Sequence, residues 1–290
     1  VFPILETKEI AKNVFMQRIR APRVAKKRKA GQFLVLRRTD DGERIPLTIV
    51  SSDAVEGSVT IIFQAVGKST TEFAWMKTGD AYLDVVGPLG LATHIEKFGT
   101  VVGIGGGIGT APLLPIATAI KKAGNRLLSI VGARTKDLLI LEDEMRAISD
   151  EIVVTTDDGS YAKKGFVTTA LQEFIDRGEK IDLCIGIGPV PMMRAVAEVT
   201  RPLGIKTMVS LNPIMVDATG MCGACRVTVG GTTKFVCVDG PEFDGHQVDF
   251  KELVMRNRAY LREEKTAMER IEHKDGKCMG GAAVPAGGGN

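Results

Sequence analysis

Three of the chain's five cysteines, Cys222, Cys225 and Cys237, fall in one stretch that opens at Asp217, with the spacing Asp-x4-Cys-x2-Cys-x11-Cys. Thiolates at such intervals ligate soft metals. A [2Fe–2S] cluster takes four of them, and Cys-x4-Cys-x2-Cys with a distant last cysteine is one way to supply them. Here a carboxylate stands first, so the candidate metal ligands are Asp217, Cys222, Cys225 and Cys237. Gly220, Gly223 and the small Ala224 let the backbone wrap closely round an iron pair, with amide N–H groups aimed at its sulfurs. Structural zinc is the sharpest rival, but it usually uses two Cys or Cys/His knuckles and this stretch has one. Packing cysteines are the blandest reading, against which stand the third cysteine and the glycines. Cys278 of the tail or Cys184 stays open as a substitute for Asp217, although Cys184 sits in the apolar run Ile181 to Ile187 and suits a buried strand.

Two earlier stretches suit phosphate. Arg44-Ile-Pro46-Leu47-Thr48 places a guanidinium and a hydroxyl four residues apart, on one face of an extended strand, and the planar fork of arginine binds two oxygens at once. Gly67-Lys68-Ser69-Thr70 opens a helical segment whose first amides form an anion site. Either motif alone is weak; both within one unit point to a phosphate-bearing cofactor. A third site is the turn Gly105-Gly106-Gly107-Ile108-Gly109-Thr110, directly after an apolar strand and before a helix. Glycines there admit a pyrophosphate to the backbone while the helix start stabilises its charge.

The elements that position these residues fall into two rhythms. Up to about Pro88, short β-branched and aromatic runs (Val14 to Ile19, Gln32 to Arg37, Ser58 to Val66, Ala81 to Val86) predict a small antiparallel barrel. The basic run Arg23 to Lys29 between two of them is expected to be a solvated loop. Beyond Gly87-Pro-Leu-Gly90, strands at 99–105, 126–131, 152–155, 181–187 and 205–211 alternate with helices at 108–122, 138–149, 167–177 and 189–200. That alternation predicts an open parallel sheet covered on both faces. Its topology brings Arg134 and Lys136, Asp157 and Asp158, and Gly188-Pro189 to the crevice shared with the glycine turn, while Met192 and Met193 read as helix packing. Arg226 to Cys237 reads as a hairpin through Gly230-Gly231, and a charged amphipathic helix is expected from Phe250 to about His273. The glycine-rich end cannot build a core and is expected to be mobile.

A length of 290 residues with 44% hydrophobic and 25% charged residues suits two domains with an appendage, and a formal charge of +3 is too small to argue nucleic acid or membrane. Cysteines clustered like ligands and odd in number suit a reducing cytoplasm.

Taken in order, Arg44-x-Pro-Leu-Thr48, Gly67-Lys-Ser-Thr70, Gly87-Pro-Leu-Gly90, the Gly105 to Pro112 turn, Gly188-Pro-x-Pro-Met-Met193 and the terminal cysteines resemble the ferredoxin–NADP reductase superfamily. Within it the chain resembles the branch of dihydroorotate dehydrogenase B electron-transfer subunits and small subunits of NADH-dependent ferredoxin:NADP oxidoreductase, also called sulfide dehydrogenase. The dihydroorotate branch usually presents four cysteines, and Asp217 with three cysteines looks like the second group. The resemblance implies residues 1–96 as an antiparallel FAD-binding β-barrel, 97–211 as an NAD(P)-binding α/β unit, 212–250 as the [2Fe–2S] segment and 251–290 as a helical then flexible tail contacting a partner. It implies FAD held by Arg44, Pro46, Leu47, Thr48 and the Gly67 to Thr70 turn. It also implies NAD(H), with NADP(H) still open, on the Gly105 to Thr110 turn near Arg134, Asp158, Gly188 and Pro189. The expected activity is hydride transfer between NAD(H) and FAD and single-electron exit through the cluster to a larger flavin- and [4Fe–4S]-bearing subunit, with ferredoxin reached through the complex, in electron bifurcation. No acid–base catalytic residue is required. The rival readings are a dihydroorotate dehydrogenase subunit and a non-catalytic docking scaffold with a metal knuckle.

Overall fold

The computed structural model describes residues 1–274. Seven strands form the first sheet: β1 (Phe2–Ala11), β2 (Val14–Arg20), β3 (Phe33–Arg37), β4 (Ile45–Asp53), β5 (Ser58–Gln64), β6 (Ala81–Tyr82) and β7 (Asp84–Leu89), in the order β6-β1-β2-β5-β4-β3-β7. All its pairings are antiparallel, and it curls into a nearly closed barrel around Ile4, Ile19, Leu34, Leu36, Ile49, Ile61 and Phe63. The barrel carries one polar pin. Tyr82 donates to Gln17 Oε1 at 2.6 Å and Gln17 Nε2 donates to the Phe73 carbonyl at 2.9 Å, which satisfies the fully buried glutamine and ties α2 (Lys68–Trp75) to the wall.

Two expectations change here. The basic run forms a short helix, α1 (Pro22–Lys27), because proline suits a first helical turn and Val24 and Ala25 bury on the barrel while the lysines stay outside. The single strand expected at 81–86 is two, and β1 lies within the strand-rich half although its residues show no clean alternation.

The second sheet holds β8 (Thr100–Gly106), β9 (Arg126–Ala133), β10 (Glu151–Thr156), β11 (Lys163–Lys164), β12 (Leu183–Ile187), β13 (Thr207–Ser210) and β16 (Glu242–Asp244), in the order β11-β10-β9-β8-β12-β13-β16. All run parallel except β16, which returns antiparallel to β13. Both faces are covered, by α3 (Thr110–Lys122) and α4 (Glu142–Ile148) over one core and α5 (Val167–Asp176) and α6 (Val190–Thr200) over the other. The helix expected from Leu138 is shorter, since Leu141 adopts a left-handed φ of 58° that ends any helix begun before it.

Between β13 and β16 the chain makes a long turn-rich loop, the hairpin β14 (Arg226–Val229) and β15 (Thr232–Phe235), and the one-turn helix α7 (Val236–Asp239). Cys237 therefore sits on α7 and not at the end of a strand. The helix expected from Phe250 to His273 is two, α8 (Phe250–Arg256) and α9 (Leu261–Lys274), separated by a turn at 257–260. Cys278 and the glycine-rich end lie outside the described residues. Among the described residues no helix is long and apolar enough to cross a membrane.

One core joins all the parts. Phe33 and Val35 of the barrel, Val190, Met193 and Ala197 of α6, Cys225, Val227 and Cys237 of the cysteine segment, and Phe250 and Leu253 of α8 pack together. A smaller one joins Val14, Val50 and Ile62 of the barrel to Ala111 at the start of α3, with Ile108 of the glycine turn against it.

Candidate functional site

The cysteine segment turns tightly through left-handed backbone at Ala218 (φ 63°), Gly220 (φ 85°) and Gly223 (φ 66°). Cys225 and Cys237 come face to face, with Sγ atoms 3.2 Å apart and both residues 2% exposed. The Cys237 amide points at Cys225 Sγ at 3.5 Å, and the Gly220 backbone hydrogen-bonds to Cys237. Burial first, then the neighbouring Cys225, pushes the Cys237 thiol up to about 12. Two thiols this close ionise together only beside a cation, so the donor chemistry and the surrounding amides fit a cluster.

Asp217 and Cys222 share the loop, but Cys222 is exposed and Asp217 is turned elsewhere. Its carboxylate accepts from the amide and hydroxyl of Thr219, which hold its pKa below the usual range, and lies 3.5 Å from Arg44 Nη1. Among the described residues no three His, Cys, Asp or Glu side chains are gathered to hold a metal ion. Ligation by Asp217 requires it to leave Thr219. Cys184 is remote in role: it is fully buried in β12, and burial pushes its thiol up to about 12.

Arg44 stands just before β4, and Pro46, Leu47 and Thr48 pair with Val35, Leu34 and Phe33 of β3. β4 pairs with β5 only from Ile49 onward, so Pro46 removes no ladder bond on that side. Gly67 precedes α2, and Thr70 Oγ1 accepts from the amides of Val66 and Gly67, each at 3.1 Å. Lys68 and Ser69 complete the first turn, and Ser69 donates to the carboxylate of Glu43. Glu43 adjoins Arg44, so this bond draws the Arg44 to Thr48 and Gly67 to Thr70 segments together. Nothing in the pattern of the sequence marks Glu43.

At the end of β8 the glycines are needed for contact. A Cβ on Gly105 would meet Thr110 Oγ1 at 2.8 Å, one on Gly106 would meet Met192 Sδ at 2.3 Å, and one on Gly109 would meet the Ile187 carbonyl at 2.2 Å. Gly107 differs: its φ is +54° and nothing lies within 4 Å, so space opens above it. Thr110 Oγ1 is buried at the start of α3 with no partner. An unpaired hydroxyl under a glycine cradle with open space above fits a dinucleotide phosphate. Gly188-Pro189 borders the same turn through Ile187, and Met193 is core as expected, while Met192 packs on both glycine turns. Arg134 and Asp158 meet at the ends of β9 and β10, where the Asp158 amide donates to the Arg134 carbonyl at 3.2 Å. The Asp158 carboxylate accepts from the Ser160 amide, which holds it below its usual range, and Lys136 Nζ lies 5.2 Å from the centre of the Tyr161 ring.

A nearly closed antiparallel barrel, a parallel sheet with a glycine turn at the start of a helix, and a thiol loop packed into one core are the architecture of an iron–sulfur oxidoreductase of ferredoxin-reductase type. Comparison with known proteins agrees. Residues 212–249 match the iron–sulfur cluster binding domain of dihydroorotate dehydrogenase B, and residues 104–198 match the oxidoreductase NAD-binding domain. The chain is 49% identical over 268 residues to a Thermotoga maritima homologue of the dihydroorotate dehydrogenase B (NAD(+)) electron transfer subunit, covering 92% of this chain and 94% of the other. It is 33% identical over 255 residues to the electron transfer subunit of that enzyme from Fusobacterium nucleatum, covering 85% and 96%. A solved structure of an NADH-dependent reduced ferredoxin–NADP oxidoreductase, studied for flavin-based electron bifurcation, superposes with a TM-score of 0.89 at 48% identity, covering 93% of this chain and 98% of the other. A ferredoxin NADP+ reductase from Neisseria gonorrhoeae shares the fold, with a TM-score of 0.56 at 19% identity over 70% of this chain and 90% of the other. The chain belongs to the family of dihydroorotate dehydrogenase B electron-transfer subunits and their homologues. It is an NAD(P)H-dependent oxidoreductase subunit with an NAD-binding domain and an iron–sulfur domain.

Proposed function

We propose that this chain is the NAD(H)-facing subunit of a flavin-based electron-bifurcating complex, with FAD in the barrel and a [2Fe–2S] cluster on Asp217, Cys222, Cys225 and Cys237. The observation that carries the reading is the match over nearly the whole chain, at 48% identity, to the NADH-dependent reduced ferredoxin–NADP oxidoreductase studied for flavin-based electron bifurcation; the 3.5 Å approach of Arg44 to Asp217 supports it by setting the barrel beside the cysteine loop. Held by Arg44, Thr48 and the Gly67 to Thr70 turn, FAD would supply the conversion between the two-electron chemistry of NAD(H) and one-electron transfer.

The chain's own residues bind and orient. Arg44, Thr48 and the Gly67 to Thr70 turn hold the flavin's pyrophosphate, with Pro46 and Leu47 keeping the strand in place. Gly105 to Thr110 seat the dinucleotide phosphates, Arg134 and Asp158 meet its adenosine side, and Gly188-Pro189 borders the nicotinamide. Gly220 and the amide of Cys237 orient donors toward the thiols. No side chain has to move a proton in hydride transfer. The partner is a larger subunit bearing flavin and [4Fe–4S] clusters, contacted through the exposed α9, since α8 is packed into the core through Phe250 and Leu253, with ferredoxin served through the complex. Residues 1–96, 97–211 and 212–250 serve as the flavin, dinucleotide and cluster segments, and of 251–290 the part beyond α8 serves the partner, α8 itself being packed against the cluster segment.

The names of the curated relatives favour a second reading, in which the chain serves a dihydroorotate-oxidising partner. Anaerobic co-purification separates the two. A flavin- and [4Fe–4S]-bearing partner with NADH-dependent ferredoxin:NADP activity supports the first, and a dihydroorotate-oxidising partner overturns it.

A further inference from the structure

The Cys222-Gly-Ala-Cys225 knuckle is held from outside by two arginines. Arg226 donates to the Gly223 carbonyl through its amide at 3.3 Å and through Nη1 at 3.1 Å. Arg256, from the last turn of α8, donates to the Ala224 carbonyl through Nη2 at 3.0 Å. In a trans peptide the N–H points opposite to the C=O, so fixing these two carbonyls turns the amides of Ala224 and Cys225 away from the guanidinium groups. Both central peptides of the knuckle are therefore set by cations.

The two arginines differ in surroundings. Arg226 is exposed, and solvent screens its charge. Arg256 is partly buried, and its Nε is wholly covered with no hydrogen-bond partner. A covered donor on a full positive charge is costly, and a neighbouring negative group offsets that cost. Its helix is anchored firmly. Asp249 caps α8 by accepting from the Glu252 amide at 2.9 Å, Glu252 accepts from the Thr228 amide at 3.0 Å, and Asn257 Nδ2 reaches the Asn212 carbonyl at 3.3 Å. Leu253 is fully buried in the core that also holds Cys225 and Cys237. The guanidinium is thus carried to the knuckle on a rigid element.

We propose that Arg256 is a positioning residue for the cluster: it orients the knuckle's amides through the Ala224 carbonyl, and its charge favours the reduced cluster over the oxidised one. The proposal rests on the assignment of an iron–sulfur cluster to this loop. Reduction adds one negative charge, so a nearby cation raises the reduction potential, and net charge and hydrogen bonds are the protein's levers on it.

The test is a dithionite titration of the purified complex followed by EPR, comparing the native chain with R256K and R256M, with iron counted in each. The expected result is a midpoint potential shifted to a more negative value in R256M and largely restored in R256K, at unchanged NADH-dependent flavin reduction. An R256M potential equal to the native one, with native iron content, overturns the proposal. Should R256M fail to hold iron, R256Q, which keeps a donor without the charge, is read in its place, and a potential equal to that of R256K overturns it. Absence of iron from the native chain would instead overturn the cluster assignment itself.

Discussion

Gly109→Ala isolates steric demand in the glycine turn after β8. Gly109 has right-handed backbone, φ −63° and ψ −15°, that alanine adopts freely, so no conformational penalty applies. Its Cβ, however, would lie 2.2 Å from the Ile187 carbonyl oxygen and 2.7 Å from Gly188 Cα, whereas ordinary contact begins at 3.4 Å. These are backbone atoms and cannot rotate aside, so the start of α3 and the β12–α6 turn must separate by about 1 Å. Overpacking of this kind costs about 1–3 kcal/mol. Misplacing a binding turn by about 1 Å costs on the order of 10²-fold in rate. The assays are thermal melting and NADH-dependent ferricyanide reduction. The variant should melt lower and lose roughly two orders of magnitude in kcat/KM for NADH, with FAD retained. Native melting and native kcat/KM would show that the Ile187 carbonyl and Gly188 leave room for a side chain at position 109.

Gly107→Asn probes the opposite demand at the same turn. With φ +54° and open space, asparagine should lower the melting temperature only slightly, since its side chain tolerates left-handed backbone, whereas a β-branched residue there should cost about 1–2 kcal/mol. Asp217→Ala should lose or alter the cluster, read by iron content and EPR, while leaving FAD bound; an unchanged spectrum removes Asp217 from the ligands. Tyr82→Phe strands the buried Gln17 oxygen and should destabilise the barrel by about 1–3 kcal/mol in denaturant titration. Glu242, which accepts from Thr93 at 2.5 Å, has its carboxyl held above the usual range by burial. A pKa raised on folding means stability present below the unfolded value and lost as pH rises through the folded one. Glu242→Gln should therefore raise the melting temperature at neutral pH, with the gain fading below about pH 4.

The two sheets were legible because their periods differ: short alternating runs in one half, continuous apolar strands between helical stretches in the other. Failures came where tertiary contacts outweighed local pattern. α1 exists because the barrel covers Val24 and Ala25, which a run of lysines conceals. The break between α8 and α9 has no proline or glycine to mark it; Asn257 stands at the end of α8, and its side chain reaches back to the Asn212 carbonyl. In the candidate site, the glycine turn and the Cys225–Cys237 approach follow from spacing. Glu43 at the phosphate turn and Arg256 at the knuckle do not, because each acts on residues distant in the chain. The Arg44–Asp217 contact joins two motifs that the sequence presents as separate.

Whether a flavin and a two-iron cluster both reside in this chain is decided by a count of FAD, iron and acid-labile sulfide after anaerobic isolation with its partner. FAD equimolar with the chain, about two irons and about two sulfides are expected. A chain with neither flavin nor acid-labile sulfide would contradict both assignments.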